Sequence, residues 1–444
     1  MENNMTSTKQ NRSVPQLRFP EFEDNWNPDK LGSVATFSKG KGISKADISE
    51  DGETECIRYG ELYTEYSEVI TKIVSKTNID KAELVLSESN DVIIPASGET
   101  QIDIATASCV AKSGVALGGD LNIIKSEIDG IFLSYYLNNV RKKNIARLAQ
   151  GISVVHLYAS QLASLTVNIP TPPEQTKIAN FLTAVDKRIN LLQKKKAELE
   201  QYKKGVMQKI FAYGEKSMTN DSITNDEFGK NRNSSFVIPN YIRFKPTRPA
   251  GGQDDGSDFP DWEEKKLGEI GKILNGLTYS PKDISDKGIL VLRSSNIQNR
   301  TLTFNDNVFV ETQIFNPVKE NDILICVRNG SKRLIGKNAL INKENEGVAF
   351  GAFMAIYRSE CNQYLFHWFD TDEYKKEVHK NLGATINSIN SSDLRRFKVP
   401  YPSKREQQKI ANFLSSIDRS ITNSELQITN MQQWKQGLLQ QLFV

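Results

Sequence analysis

The residues that could do covalent or metal chemistry are few and poorly spaced for it. Three histidines (His156, His367, His379) and four cysteines (Cys56, Cys109, Cys326, Cys361) are scattered along the chain with no C-x-x-C pair, whereas a zinc site needs ligands in close pairs. Three short runs look catalytic at first reading. Gly330-Ser-Lys-Arg-Leu-Ile-Gly336-Lys337-Asn338 has the outline of a phosphate-cradling loop, but it carries one residue too many between its glycines, and Asn338 stands where a Ser or Thr hydroxyl must reach magnesium. Thr171-Pro-Pro-Glu174 has the double proline of an adenine-methylating tetrapeptide, without the initial Asn or Asp or the aromatic that would grip a flipped base. Asp261, Glu263 and Lys265 are nuclease-like letters set too close together to come from a pair of metal-binding strands. No nucleophile has a partnered base, so acid-base and covalent chemistry have no constellation, and no metal site is expected.

What remains is binding chemistry. Polar, basic loops contain Lys39, Lys41, Ser44 and Lys45, and, in a second place, Thr278, Tyr279 and Lys282. Another pair of loops holds Ser97, Thr100 and Gln101, and then Arg328, Asn329, Ser331, Lys332 and Arg333; Arg58, Arg293 and Asn296 complete the set. Arg and Lys suit guanine edges and phosphates, Asn and Gln suit adenine, and glycines let the backbone approach closely. One loop alone reads as an ordinary surface turn. Such loops at equivalent places in two units that otherwise differ point to a ligand.

The equivalence comes from an internal repeat. Glu174-Gln-Thr-Lys-Ile-Ala-Asn-Phe-Leu-Thr-Ala-Val-Asp186 matches Glu406-Gln-Gln-Lys-Ile-Ala-Asn-Phe-Leu-Ser-Ser-Ile-Asp418 at an offset of 232 residues. The same offset pairs Tyr202 with Trp434, Phe211 with Phe443, Pro170 with Pro402 and Gly119 with Gly351. Upstream it drifts: Asn90-Asp91 sits against Asn321-Asp322, Arg58 against Arg293, and Lys30-Leu-Gly32 against Lys266-Leu-Gly268. Each half is therefore a variable unit followed by a constant one.

The constant units predict long helices. Apolar residues recur three or four apart at Ile178, Leu182, Val185 and Ile189, and in the partner segment at Ile410, Leu414, Ile417 and Ile421, a coiled-coil seam or partner-binding stripe. Each segment runs nearly 40 residues without proline after its start, about 60 Å of helix. Lys196 interrupts the first seam where Ile428 continues the second, and Ser424 interrupts the second where Leu192 continues the first, which favours pairing of the two unlike segments within one chain. Lys194 to Lys196 read first as a solvated face, with a phosphate-contacting stripe as the alternative. The variable units show short β runs at Ser89–Pro95, Leu121–Ile124, Gly288–Leu292, Asp322–Cys326 and Met354–Tyr357, with helical patches at Ile131–Asn139 and Gln363–Glu377. The expected fold is α+β with twisted, mainly antiparallel sheets. The expected boundaries are a first variable domain at 1–155, a central constant region at 156–215, a linker rich in Asn, Ser, Asp and Gly at 216–257, a second variable domain at 258–387 and a C-terminal constant region at 388–444.

Composition sets the setting. With 38% hydrophobic and 25% charged residues over 444 positions, several cores are expected. No apolar run reaches the ~18 residues that span a bilayer, and the N-terminus lacks an apolar signal core, so the expected location is the cytoplasm, away from membranes. A net charge of +3 is weak for a protein that holds DNA unaided, so either the basic residues are locally concentrated or partner subunits supply much of the backbone contact.

The repeated Pro170-Thr-Pro-Pro-Glu-Gln175 and Pro402-Ser-Lys-Arg-Glu-Gln407, each followed by Lys-Ile-Ala-Asn-Phe-Leu and an Asp, resemble the conserved regions of type I restriction-modification specificity subunits. So do the opening Asp261–Gly268 and the loop at Arg328. The first half departs from the pattern with extra residues between Phe22 and Lys30, and the second has Lys404 where the first has Pro172. The resemblance implies two target-recognition domains separated by an antiparallel helix pair with pseudo-two-fold symmetry. It implies a non-catalytic subunit that reads a bipartite double-stranded DNA target, spaced by the helices to roughly one turn, about 34 to 36 Å. It also implies assembly with two methylation and two restriction subunits, with S-adenosylmethionine, ATP and magnesium held by those partners and no cofactor on this chain. Two other readings are weighed against it. A fused methyltransferase-nuclease would need a cofactor loop and would crosslink S-adenosylmethionine by itself; a coiled-coil scaffold would show no salt-dependent DNA binding even with methylation partners present.

Overall fold

The computed structural model describes residues 14–151, 154–211, 259–382 and 387–444; the expected linker at 216–257 lies outside them. Two helices carry the constant segments, Pro172–Phe211 of 40 residues and Lys404–Leu442 of 39 residues. Pro172 and Pro173 open the first because a helix's first N–H groups have no internal acceptor, so proline loses nothing there. The chain divides into two units, Met1–Lys194 with Glu425–Val444, and Lys195–Ser424. Each long helix thus contributes to both units.

In the first unit a five-stranded sheet runs in the order Ala35–Lys39, Leu121–Ser126, Asp91–Pro95, Ser108–Val110, Val69–Ile70. Its pairings are antiparallel except the last. The second unit has the equivalent four strands, Lys272–Asn275, Met354–Arg358, Ile323–Cys326 and Asn338–Leu340, all antiparallel. A smaller sheet accompanies each: Thr54–Ile57 pairs antiparallel with Ser75–Thr77 and parallel with Ala116–Leu117, and Ile284–Leu292 does the same with Phe309–Val310 and Ala349–Phe350. A two-stranded strap joins the start of each unit to the strand before its long helix, Asn27–Lys30 with Thr166–Ile169 and Glu263–Lys266 with Lys398–Tyr401. The expected α+β fold with two mainly antiparallel domains and paired long helices is the one observed.

The seam residues serve more than a helix pair. Ile178, Leu182, Val185 and Ile189 are buried in one core with Trp26, Phe132 and Leu162, together with Leu438, Leu442 and Phe443 from the end of the second helix. In the second unit Ile410, Leu414 and Ile417, with the half-buried Ile421, share a core with Trp262, Trp368 and Phe397 and with Val206, Ile210 and Phe211 from the end of the first helix. Each fully buried aliphatic side chain there contributes roughly 1.5–3 kcal/mol relative to exposure.

Three details differ from the expectation. The helical patch at Gln363–Glu377 is two helices, Asn362–Trp368 and Asp372–Lys380, because the Thr371 hydroxyl accepts the Tyr374 N–H and starts a new helix. Gly351 corresponds to Gly118 and not to Gly119: Gly118 donates to the Ile57 carbonyl as Gly351 does to Leu292, and a Cβ built on Gly40 or Gly276 would collide with the carbonyl of Gly118 or Gly351 respectively. The extra residues of the first opening precede Trp26, since Trp26 to Lys30 and Trp262 to Lys266 have equal length and the straps that follow have the same register.

Candidate nucleic-acid interface

The repeated motif letters have the same work in both units. The indole N–H of Trp26 donates to Glu174 at 3.3 Å, and that of Trp262 to Glu406 at 3.0 Å. The amide of Gln175 donates to the Pro170 carbonyl at 2.8 Å, and that of Gln407 to Pro402 at 2.7 Å. All four acid and amide residues are buried, where a polar group must find a partner. Arg18 adds a two-pronged pair to Glu174 at 2.8 and 2.7 Å. The motif therefore locks the opening of each half onto the start of its long helix, and Thr171–Glu174 serves as a helix entry.

Farther along the helices, Lys435 meets Asp186 at 2.7 Å in the first unit, and Lys203 meets Asp418 at 2.7 Å in the second. The lysine of one helix reaches the aspartate of the other, with the same 17-residue spacing on each (186 to 203, 418 to 435), as an antiparallel pair requires. Beside Asp186 the Tyr135 hydroxyl donates a hydrogen bond. At the matching place His367 lies 3.8 Å from Asp418 and 3.2 Å from the Ser415 hydroxyl.

Burial, with Lys203 and Arg300 nearby, pushes the His367 imidazole down to about 3. The unfolded chain, with an ordinary histidine near 6.5, binds the extra proton, so this contribution to stability is intact above pH 6.5 and is lost as pH falls toward 3. The loss is at most about 1.4 kcal/mol per pH unit. His367→Gln should flatten the stability profile of the second unit between pH 6.5 and 4, read by urea unfolding at a series of pH values; an unchanged slope would contradict it.

The loop residues divide into those that hold the turns and those that reach solvent. The Ser44 hydroxyl donates to Asp47 and caps a short turn, and Ser280 holds the equivalent turn through Asp283. Thr100 caps the turn at Asp103, and Ser97 is buried against His156. Asn296 is fully buried, its amide donating to the Thr303 carbonyl. Arg58 is engaged by Glu61 at 2.8 Å, and Arg293 by Asp306 at 2.8 Å. Asn329 donates to the Ser294 hydroxyl, and Tyr279 packs into a small core. Lys39, Lys41, Lys45 and Gln101 in the first unit, and Thr278, Lys282, Arg328, Ser331, Lys332 and Arg333 in the second, are exposed.

The loops bring these into clusters. In the first unit Lys39 stands 5.9 Å above the ring of Tyr158, itself stacked on His156. In the second, the loop carrying Arg328, Lys332 and Arg333 is tied to a turn at Ser294, where Asn329 donates to the hydroxyl at 3.0 Å and the Lys337 ammonium lies 3.4 Å from the carbonyl. Phe353, 56% exposed, lies 5.6 Å from the Arg328 guanidinium. Tyr158, His156, Lys337 and Phe353 were not in the sequence-derived set; an aromatic next to a strand reads as core until its exposure is seen.

The catalytic look-alikes find no support in the geometry. The Gly330–Asn338 loop leads into the strand Asn338–Leu340, not a helix whose N-terminus could hold phosphate. Glu263 and Lys265 pair with each other at 3.0 Å on one strand. Burial pushes Cys56 and Cys326 up to about 11 and Cys109 to about 12, away from reactive thiolate. Among the described residues no cluster of three or more His, Cys, Asp or Glu could hold a metal ion, and no helix is long and apolar enough to cross a membrane.

Two units built on one scaffold, with anchored helices and unlike loops, define a two-domain repeat class, and comparison with known families says which. Residues 23–201 and 260–431 match the family model described as type I restriction modification DNA specificity domain, and the chain belongs to that family. It is 25% identical over 423 residues to the type I restriction enzyme MjaVIII specificity subunit of Methanocaldococcus jannaschii, covering 91% of this chain and 88% of that one. The StySPI specificity subunit of Salmonella potsdam is 26% identical over 183 residues, 39% of each chain. The crystal structure of a type I restriction-modification S subunit from M. genitalium shares the fold, with a TM-score of 0.60 at 16% identity, covering 97% of this chain and 99% of that one. The protein is a specificity subunit of a type I restriction-modification system, a recognition component and not an enzyme in its own right.

Proposed function

We propose that this specificity subunit reads a bipartite double-stranded DNA target, the first unit reading the upstream block and the second the downstream block. The observation that carries the reading is one scaffold built twice, down to the Trp–Glu and Lys–Asp pairs, with loops that differ in charge and shape. A constant frame with divergent loops is what two readers of different sequences need. The exposed residues named above are the proposed contacts, with Lys332 and Arg333 on phosphates and Arg328 on a guanine edge. Assembly with two methylation and two restriction subunits in the cytoplasm accounts for the near-neutral charge, since the partners then share the backbone grip. S-adenosylmethionine, ATP and magnesium belong, in this reading, to those partners.

Lys332 and Arg333 make no ion pair among the described residues, and no acid interrupts Val327–Lys337. Replacing both with alanine in the chain co-purified with its methylation partner should lower the slope of log affinity against log salt by nearly two, about 0.9 per phosphate contact, with the preferred sequence unchanged. An unchanged slope would remove these residues from the DNA path.

A further inference from the structure

We propose that Phe353 is a specificity-determining residue of the second unit that packs on the C5-methyl edge of a thymine, beside a guanine taken by Arg328. The inference rests on the DNA-reading function proposed above and goes beyond it by naming a residue and the base edge it meets. Three observations carry it.

The ring is displayed and not merely left over: it is 56% exposed at a turn whose backbone is pinned, because the N–H groups of Val327 and Arg328 both donate to the Phe353 carbonyl, at 3.0 and 3.1 Å. The turn is further closed by Met354 N–H donating to Gly351 at 2.8 Å. A rigid mount on a strand end spares the ordering cost that a flexible loop would meet on binding.

Its surroundings select the partner. Arg328 lies 5.6 Å from the ring, and Lys332 and Arg333 follow on the same loop. Neither Val327–Lys337 nor Gly347–Arg358 contains a single Asp or Glu. An exposed aromatic beside an arginine, on two segments that carry no acid, suits an apolar group embedded in a polyanion, and the thymine methyl in the major groove is that group. Base pairs stack about 3.4 Å apart, so a guanidinium and a ring 5.6 Å apart address base pairs one or two steps from each other.

The same place differs in the other unit. Ala96 N–H donates to the Asp120 carbonyl at 2.7 Å, as Val327 N–H does to Phe353, and Leu121 N–H to Gly118 as Met354 N–H does to Gly351. Asp120 is therefore the counterpart of Phe353. A carboxylate at that position repels the phosphates and cannot pack on a methyl, so the two mounts select different bases.

The test uses the full chain co-purified with its methylation partner and a pool of duplexes with a randomised central segment. The wild-type complex should select a motif with a guanine within two base pairs of a thymine in one block. Replacing that thymine by uracil, which removes only the methyl, should weaken wild-type binding about four-fold and leave Phe353→Ala indifferent. Phe353→Ala should itself lose at least that same roughly four-fold on the selected duplex with an unchanged salt slope, while Phe353→Leu keeps part of the thymine preference. Since the ring is exposed, the melting temperature of both variants should match the wild type. Equal uracil sensitivity in wild type and Phe353→Ala, or none at any thymine of either block, overturns the assignment. If the wild-type complex selects no motif at all, the DNA-reading function itself fails, a separate and recognisable result.

Discussion

Phe443→Ala, a change next to the C-terminus, is expected to destabilise the N-terminal unit by about 3–5 kcal/mol, the usual cost of removing a buried phenyl ring. Phe443 is 6% exposed and its ring lies 5.7 Å from Phe132, 6.0 Å from Tyr136 and 6.4 Å from Trp26. The Val444 main-chain oxygen accepts from Tyr136 and Asn168 and holds that segment in place. The matching change Phe211→Ala acts on the second unit, where the ring lies 5.6 Å from Tyr364. Urea unfolding followed by tryptophan fluorescence, run on both variants in parallel, separates the two, because Trp26 and Trp434 lie in the first unit and Trp262 and Trp368 in the second. A Phe443→Ala variant whose first unit unfolds within 0.5 kcal/mol of the wild type, roughly the scatter of a neutral surface change, would contradict the packing described.

The second large effect concerns the gap between the two proposed blocks. The ion pairs Asp186–Lys435 and Lys203–Asp418 fall at equal spacing along both helices, so an insertion in one helix alone shifts one pair out of register. Insertions of four helix-forming residues in both, after Lys195 and after Leu426, preserve both pairs and lengthen the helices by about 6 Å. The gap should then grow by about one to two base pairs at 3.4 Å each, with both blocks unchanged. The single insertion after Lys195 should instead cost activity. A paired insertion that altered the bases of either block would argue against independent readers.

The frame was legible in the sequence because its residues have chemistry that tolerates no substitute: a buried Glu needs its Trp N–H, a buried Gln its carbonyl, and the Lys–Asp pairs each other. Repetition of the Glu, Gln, Asp and Lys letters at one offset, with the Trp of each opening a few residues off it, follows from repetition of those contacts. The loops were less legible. Ser44, Thr100 and Asn296 are residue types that serve equally in turns and on DNA, and here they cap or hold turns. The carboxylate that engages Arg58 is three residues away at Glu61, while the corresponding position holds Asn296 and leaves Arg293 to Asp306. Phe353 was missed because apolar letters beside a strand default to the core. The one-residue slip at Gly118 arose because two adjacent glycines fit the pattern equally, and only the backbone crowding of Gly40 and Gly276 separates them.

The central claim is that this chain chooses a split target for a methylating assembly. Methylome sequencing of a host expressing the chain with its methylation partner, against the same host lacking only this chain, tests it most directly. The expected result is one adenine-methylated motif of two short blocks with an unspecified gap, present only with the chain. A contiguous motif, or methylation that persists without the chain, would contradict it.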